Sequence, residues 1–206
     1  MESALNQITT MTTSRSQIRR KLRKIRKSLS VNERETKTNE TLVKVLTNRR
    51  YRSAKRVAFY SAFDGEVDLS PLLLHAYHNN KQCFLPVLPK NKNKPMRFAL
   101  YHADNLEQTN VFGISEPKVD RASLVSANQL DLVLMPLVAF DKSGQRLGMG
   151  GGYYDRCFNF RLNRTTWRKP FLIGIAFQFQ QCHLGAKQAW DVSLDACITD
   201  QNEYIF

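Results

Sequence analysis

Residues 171–177 read Phe-Leu-Ile-Gly-Ile-Ala-Phe, a continuous apolar run with no polar alternation. A strand that is apolar on both sides suits the interior of a parallel sheet covered on each face. Residues 130–136 (LDLVLMP) read the same way apart from Asp131. Residues 56–63 (RVAFYSAF) are rich in β-formers and predict another strand, turned at Asp64-Gly65. Residues 82–89 (QCFLPVLP) predict a further one, which Pro86 places near a sheet edge or ends. Residues 96–102 follow a polar Lys/Asn turn as a strand, and residues 196–199 form a short final strand. Helical patterns lie between and before these runs. Ile18, Leu22, Ile25 and Leu29 make one apolar stripe over residues 15–29. Ser30-Val-Asn-Glu33 is a capping box that starts a second helix running to about Thr47, with Leu42, Val43, Val45 and Leu46 toward its end. Ser70-Pro71 reads as the N-cap and first residue of a helix of about ten residues. Strands alternating with helices argue for a layered α/β fold.

The chain has 206 residues, enough for one sizeable core, with 42% hydrophobic and 24% charged residues and no internal repeat. These values exclude a wholly disordered or fibrous chain. No apolar run reaches the ~18–20 residues needed to span a bilayer. Residues 1–14 are polar and lack both the charged start and the apolar stretch of a signal peptide, so a short disordered tail is expected, followed by one domain over 15–206. The formal net charge is +13, and residues 1–27 hold eight basic residues against the single acidic Glu2. Such a block suits a polyanionic small molecule, nucleic acid or acidic lipid. Arg49, Arg50, Arg52, Lys55 and Arg56 form a second basic run, read as a solvated connection. Cys83, Cys157, Cys182 and Cys197 are far apart and form no CxxC pair, which points to free thiols in a reducing cytosol. His75 and His78 share a helix face without a third ligand nearby and read as surface residues.

The chemistry concentrates in residues 139–156 (AFDKSGQRLGMGGGYYDR). Gly148, Gly150, Gly151 and Gly152 are four of the nine glycines of the chain. Glycine admits positive φ and a close backbone approach, and free N–H groups leading into a helix cradle anions. The spacing is neither a Walker A loop nor a dinucleotide fingerprint. A flexible loop is the bland alternative. Its surroundings favour a nucleotide: Arg146 can meet a phosphate, Tyr153 and Tyr154 can stack on a flat ring, and Asp155 can take the Mg²⁺ that rides on phosphates.

The segment from Arg146 to Asp155 (RLGMGGGYYD) resembles the signature of the 5-formyltetrahydrofolate cyclo-ligase family. Other stretches agree in order: the basic helix carrying Arg15, Arg19, Leu22 and Arg23; Phe63-Asp-Gly-Glu66-Val-Asp68; Phe112-Gly-Ile-Ser-Glu116-Pro117; Met135-Pro136 with Phe140-Asp141; and Trp190-Asp191 through Asp195. The likeness spans about residues 15–200. Some members carry lysine where this chain has Gly151, which leaves more of the phosphate to Arg146 and the amino-terminal arginines.

The resemblance implies a three-layer α/β sandwich with a mainly parallel sheet, similar to the sugar-isomerase and CoA-transferase-like superfamily. It implies ATP-dependent closure of 5-formyltetrahydrofolate to 5,10-methenyltetrahydrofolate in the cytoplasm, by a monomer or homodimer. ATP would be held by Arg15, Arg19, Arg146, Gly148, Gly150, Gly151, Gly152 and Tyr154. The reduced folate would lie against Ser61, Phe63, Glu66, Met149, Gly150, Gly151, Gly152, Tyr153 and Trp190. Arg146 and Tyr153 would be catalytic, and Mg²⁺ would sit on Asp155 and Asp191. Bland rivals exist: Glu66 as a turn cap, Tyr154 as packing, and Asp191 or Asp195 as turn residues. The reading of another class is a basic nucleic-acid-binding protein using residues 15–27 and 49–56. The resemblance implies neither nucleic acid nor membrane as partner.

Overall fold

A computed structural model describes residues 14–91, 94–103, 107–110, 113–163 and 169–206. Residues 1–13 of the expected tail, part of the Lys/Asn turn and Phe112 lie outside these. Ser14, assigned to that tail, is the N-cap of helix α1 (Arg15–Ser28), where it forms a capping box with Gln17. Ser30 and Glu33 cap α2 (Val31–Thr47) in the same reciprocal way, as the sequence predicts. The second basic run precedes β1 with Arg49, Arg50, Arg52 and Lys55 exposed, as a solvated connection should be, but it is partly helical. Asn48 caps a short helix there, α3 (Arg49–Ser53), and Tyr51 anchors it in the core.

Strand β1 (Arg56–Ala58) is shorter than residues 56–63 suggest, because residues 59–63 leave the sheet. Helix α4 (Ser70–His78) has Leu69, not Ser70, at its N-cap, and Asp68 accepts from the Ser70 N–H and hydroxyl. Then come β2 (Gln82–Val87), β3 (Arg97–Leu100), a small hairpin of β4 (Glu107–Thr109) and β5 (Ser115–Pro117), and β6 (Leu132–Pro136). A ribbon of β7 (Ala139–Phe140) and β8 (Arg146–Leu147) leads to α5 (Tyr153–Phe158). The chain ends with β9 (Phe171–Ile175), β10 (Ala196–Ile198) and β11 (Glu203–Ile205). Thus β10 is not the final strand: β11 folds back antiparallel onto it.

The main sheet has seven strands in the order β11-β10-β9-β6-β1-β2-β3. The inner five are parallel, and β11 and β3 are antiparallel edges. Pro86 lies on β2, one strand in from the edge. Pairing with β1 stops at Phe84, so Pro86 faces a partner only on the β3 side. Alternate residues divide between two cores. Val57, Leu132, Leu134, Ile173 and Ile175 join Leu42 and Val45 of α2, Tyr51 of α3 and Leu72 of α4 on one face. Ala58, Val133, Met135, Leu172 and Cys197 join Phe158 of α5, Phe98 and Phe140 on the other. Both faces are therefore covered, which is why the central strands read as unbroken apolar runs. Helix α1 packs Ile18 and Leu22 against Val138, Ala139 and Leu147, beside the β7–β8 ribbon.

Candidate active site

From β1 the chain adds β2 on one side, whereas β6, β9 and β10 are added on the other. The order reverses between β1 and β6, and such a switch point leaves a crevice beyond the carboxyl ends of the strands. A cavity of about 960 Å³ lies there, lined by Tyr60, Ser61 and Phe63 after β1 and by Pro136 and Leu137 at the end of β6. Its size suits a ligand of substantial bulk.

One wall is the glycine segment. The β7–β8 ribbon carries Arg146, which is buried and donates from Nη2 to Asp155 Oδ1 at 2.7 Å. Its guanidinium lies 5.6 Å from the centre of the Tyr154 ring, and its Nε is buried without a protein acceptor. Gly152 takes φ +63° and opens α5; any side chain there would be strained and would meet Arg156. A Cβ on Gly151 would stand 2.9 Å from the Tyr153 ring. Helix α1 closes over this wall. Arg19 Nε donates to the Gly148 carbonyl at 2.8 Å, and Arg15 Nη2 donates to Asp191 Oδ2 at 2.8 Å. Burial and the neighbouring Arg15 lower the Arg19 pKa. Burial works to raise the Asp191 carboxyl, but the hydrogen bonds from Arg15 and Gln188 hold it below its ordinary value. This wall gathers cations around glycine backbone, an arrangement that attracts phosphate.

A second part of the lining is built from the turn at residues 63–66. Glu66 accepts from the Phe63 N–H at 3.2 Å, so it does close the turn, and it also faces the cavity. Burial raises its pKa to about 7 against the opposing charge of Arg26. Asp64 behaves oppositely: although it is buried, Arg23, Lys27 and Arg26 hold its carboxyl far below the usual range. Burial also raises Tyr60 and Tyr154, so both stay protonated.

Every residue expected to touch ATP, folate or metal lines this one cavity. Phe63, Met149 and Trp190 are 37%, 43% and 64% exposed, large apolar side chains at the entrance with unburied surface. Tyr154 combines both expected roles: it lines the cavity and stacks on Phe158. Of the two candidate aspartates, Asp191 is in the cavity, whereas Asp195 is engaged by Arg161 and the Leu172 N–H in the core. His75 and His78 are exposed on α4, and all four cysteines are free.

Two residues escaped the sequence reading. Arg156 lines the cavity, donates to the Gly151 carbonyl at 2.8 Å and lies 5.0 Å over the Tyr153 ring. Arg26 is buried behind the site, 1% exposed, and was counted with the basic face of α1. Its signal was present: positions 18, 22 and 26 continue one stripe at a spacing of four.

Residues 11–200 match the model of the 5-formyltetrahydrofolate cyclo-ligase family. The chain belongs to that family. It is 38% identical over 185 residues to the 5-formyltetrahydrofolate cyclo-ligase of Haemophilus influenzae, covering 89% of this chain and 96% of that one. It is 33% identical over 178 residues to the Escherichia coli cyclo-ligase, covering 86% and 96%. Among solved structures it is similar to 5,10-methenyltetrahydrofolate synthetase of Aquifex aeolicus, with a TM-score of 0.77, 30% identity, and coverage of 93% and 92%. The synthetase of Mycoplasma pneumoniae superposes with a TM-score of 0.69 at 27% identity, covering 90% and 98%. The cyclo-ligase fold of this chain is thus a mainly parallel α/β sheet with its cavity at the switch point.

Proposed function

We propose that this chain closes 5-formyltetrahydrofolate to 5,10-methenyltetrahydrofolate with ATP, releasing ADP and phosphate. The observation that supports it is the lining of one cavity, which brings guanidinium groups and glycine backbone together with the nearly buried carboxylate of Glu66. A formamide oxygen is a poor leaving group. Transfer of the γ-phosphoryl group from ATP to that oxygen breaks the phosphoanhydride bond and frees ADP. N10 then attacks the activated carbon, loses its proton, and phosphate leaves with the carbon–oxygen bonding pair. Such chemistry asks for positioning and charge neutralisation more than covalent help.

The residues divide the task. Arg15, Arg19 and Arg146 face the phosphates with the N–H groups of Gly148 and Gly150–Gly152. The buried Nε of Arg146 lacks an acceptor that a phosphate oxygen would supply. Tyr154 flanks the nucleotide. Glu66 accepts from the amino and ring N–H donors of the pterin edge, with Ser61 and Tyr153 beside it. Phe63, Met149 and Trp190 give the folate an apolar wall at the entrance. Arg146 and Tyr153 stand nearest the transfer.

Among the described residues no group of three or more His, Cys, Asp and Glu is placed to hold a metal. A permanent cage therefore does not fit, but an ion arriving on phosphates needs only one or two carboxylates. Asp155 spends Oδ1 on Arg146 and the Val192 N–H, and Asp191 spends Oδ2 on Arg15 and the Gln188 N–H. Each has a second oxygen to offer, so these two would hold Mg²⁺, which shields phosphate charge. The α1 arginines turned inward support an enzyme over a nucleic-acid arm. The superfamily kinship, a cytoplasmic location and a monomeric or homodimeric state belong to the same proposal.

The test mixes purified protein with 5-formyltetrahydrofolate, ATP and Mg²⁺ and follows the near-ultraviolet absorbance of the methenyl product. An ATP-dependent rise that is lost in Asp155→Ala protein is expected. Folded protein that gives no rise overturns the proposal.

A further inference from the structure

Arg26 is the one arginine of α1 that reaches neither the cavity nor solvent. A guanidinium taken out of water at that depth requires partners on all sides. Its Nε donates to the Asp64 carbonyl at 2.9 Å, and Nη2 donates to Asp64 Oδ2 at 2.9 Å. Its Nη1 donates to the Leu137 carbonyl at 3.3 Å and stands 3.6 Å from Glu66 Oε1. One side chain therefore joins α1, the 63–66 turn and the exit of β6, the elements that frame the switch-point crevice. Arg23 and Lys27, from the same helix, also grip Asp64 but are far more exposed.

We propose that Arg26 is a positioning residue that aims Glu66 into the cavity and favours its charged form, with Asp64 as the counter-charge that limits how much of Arg26 reaches Glu66. The proposal rests on the pterin lying against Glu66. The chemistry is direct. A pterin edge presents N–H donors, which a carboxylate accepts and a carboxylic acid accepts poorly. Glu66 is buried, and burial favours the neutral acid. The charged and titratable groups facing it are Arg26 and Arg23 from α1, Asp64 from its own turn, Tyr60 before the turn and Tyr154 from α5. The tyrosines stay neutral in the working range, so the arginines are the cations that oppose desolvation. Asp64 opposes them twice, by its own charge and by occupying two of the three donor groups of Arg26.

The experiment measures kcat/KM for 5-formyltetrahydrofolate from pH 5 to 9 at saturating ATP in four proteins: wild type, Arg26→Gln, Asp64→Asn and Glu66→Gln. Wild type should lose activity on the acid side as Glu66 takes up a proton. Arg26→Gln removes a cation within ion-pair reach, so that limb should move up by about one pH unit or more. Asp64→Asn removes an anion and frees Arg26, so the limb should move down. Both substitutions loosen the same clamp, and a merely structural role would lower kcat/KM in both without moving the limb in opposite directions. Limbs that stay in place in both variants, while Glu66→Gln abolishes the limb, overturn the role of Arg26 and leave the placement of the pterin standing. A limb that persists in Glu66→Gln overturns both. If Arg26→Gln does not fold, it is read in the Asp64→Asn background, where the partner that engages two of its donor groups is already neutral: a limb above that of Asp64→Asn supports the proposal and an unchanged limb overturns it. Arg26→Lys, which keeps the charge, should restore the wild-type profile.

Discussion

Two regions of the cavity lining solve opposite electrostatic problems. The glycine segment gathers Arg15, Arg19, Arg146 and Arg156 around backbone, and offsets part of that charge with Asp155 and Asp191. The 63–66 turn places two carboxylates in the interior and offsets them with Arg23, Arg26 and Lys27. At the first region the uncompensated charge is positive and faces the cavity, which suits a polyphosphate. At the second the three cations exceed the two carboxylates, but the group that faces the cavity is Glu66, whose carboxylate suits a neutral ring with N–H donors. The difference teaches that one basic helix serves both: Arg15 and Arg19 in the amino-terminal turns of α1 reach Asp191 and the glycine segment, and Arg23, Arg26 and Lys27 in its later turns hold the 63–66 turn.

That contrast can be broken from either side. The largest effect is expected for Arg146→Ala. It removes the most buried cation of the phosphate region and leaves Asp155 without its ion-pair partner, so kcat should fall by about 10²–10³. Steady-state kinetics check this, with circular dichroism to verify folding. Gly151→Ala tests backbone approach rather than charge. The new methyl must displace the Tyr153 ring, and a shift of about 1 Å in the loop should cost up to about 10² in kcat/KM. If Gly151→Ala is harmless, the glycine wall is merely flexible.

Arg156→Ala sharpens the comparison. Arg156 is exposed at the cavity lip, so it should raise the KM for ATP only about two- to fivefold and leave the KM for folate unchanged. An equal effect on both substrates would mean that the two regions are not separate. The smallest expected effect concerns stability. The folded-state pKa of Asp64 is depressed, so its contribution is present above the unfolded value of ~3.9 and is lost as pH falls through the folded value. Asp64→Asn should therefore lower the thermal midpoint by a few degrees at pH 7 and by progressively less as pH approaches ~2. Thermal melts across pH test this. An equal loss at both ends of the range would show that the Asp64 carbonyl and packing matter, not its charge.

Much of the fold was legible because its signals are local. Ser30 and Glu33 cap α2 through bonds spanning three residues, and the apolar runs of β6 and β9 record burial on both faces. The shortened β1 was not legible. Tyr60 and its neighbours are as β-prone as residues 56–58, yet the Tyr60 hydroxyl bonds the Val67 carbonyl in a turn off the sheet. Nor was β11, whose sequence is unremarkable and whose strand exists only because β10 offers it an edge. The glycine segment could be read because glycines, arginine, tyrosines and aspartate lie within eleven residues. Arg26 could not be separated from its neighbours by type, only by its register on the stripe.

The sequence by itself determined the layered α/β character, the start of α2, the glycine wall and the family to which the chain belongs. Those depend on patterns a few residues long and on motifs whose order survives in the linear chain. Only the tertiary structure decided which of eight amino-terminal basic side chains turn inward, that the nearly enclosed Glu66 side chain shares a cavity with the glycine wall, and that Asp191 rather than Asp195 reaches the cavity. The physical reason is the switch point between β1 and β6. It brings residues 15–19, 60–66, 136–159 and 190–191 to one crevice, and charge, burial and pKa arise from that meeting of distant segments rather than from any one of them.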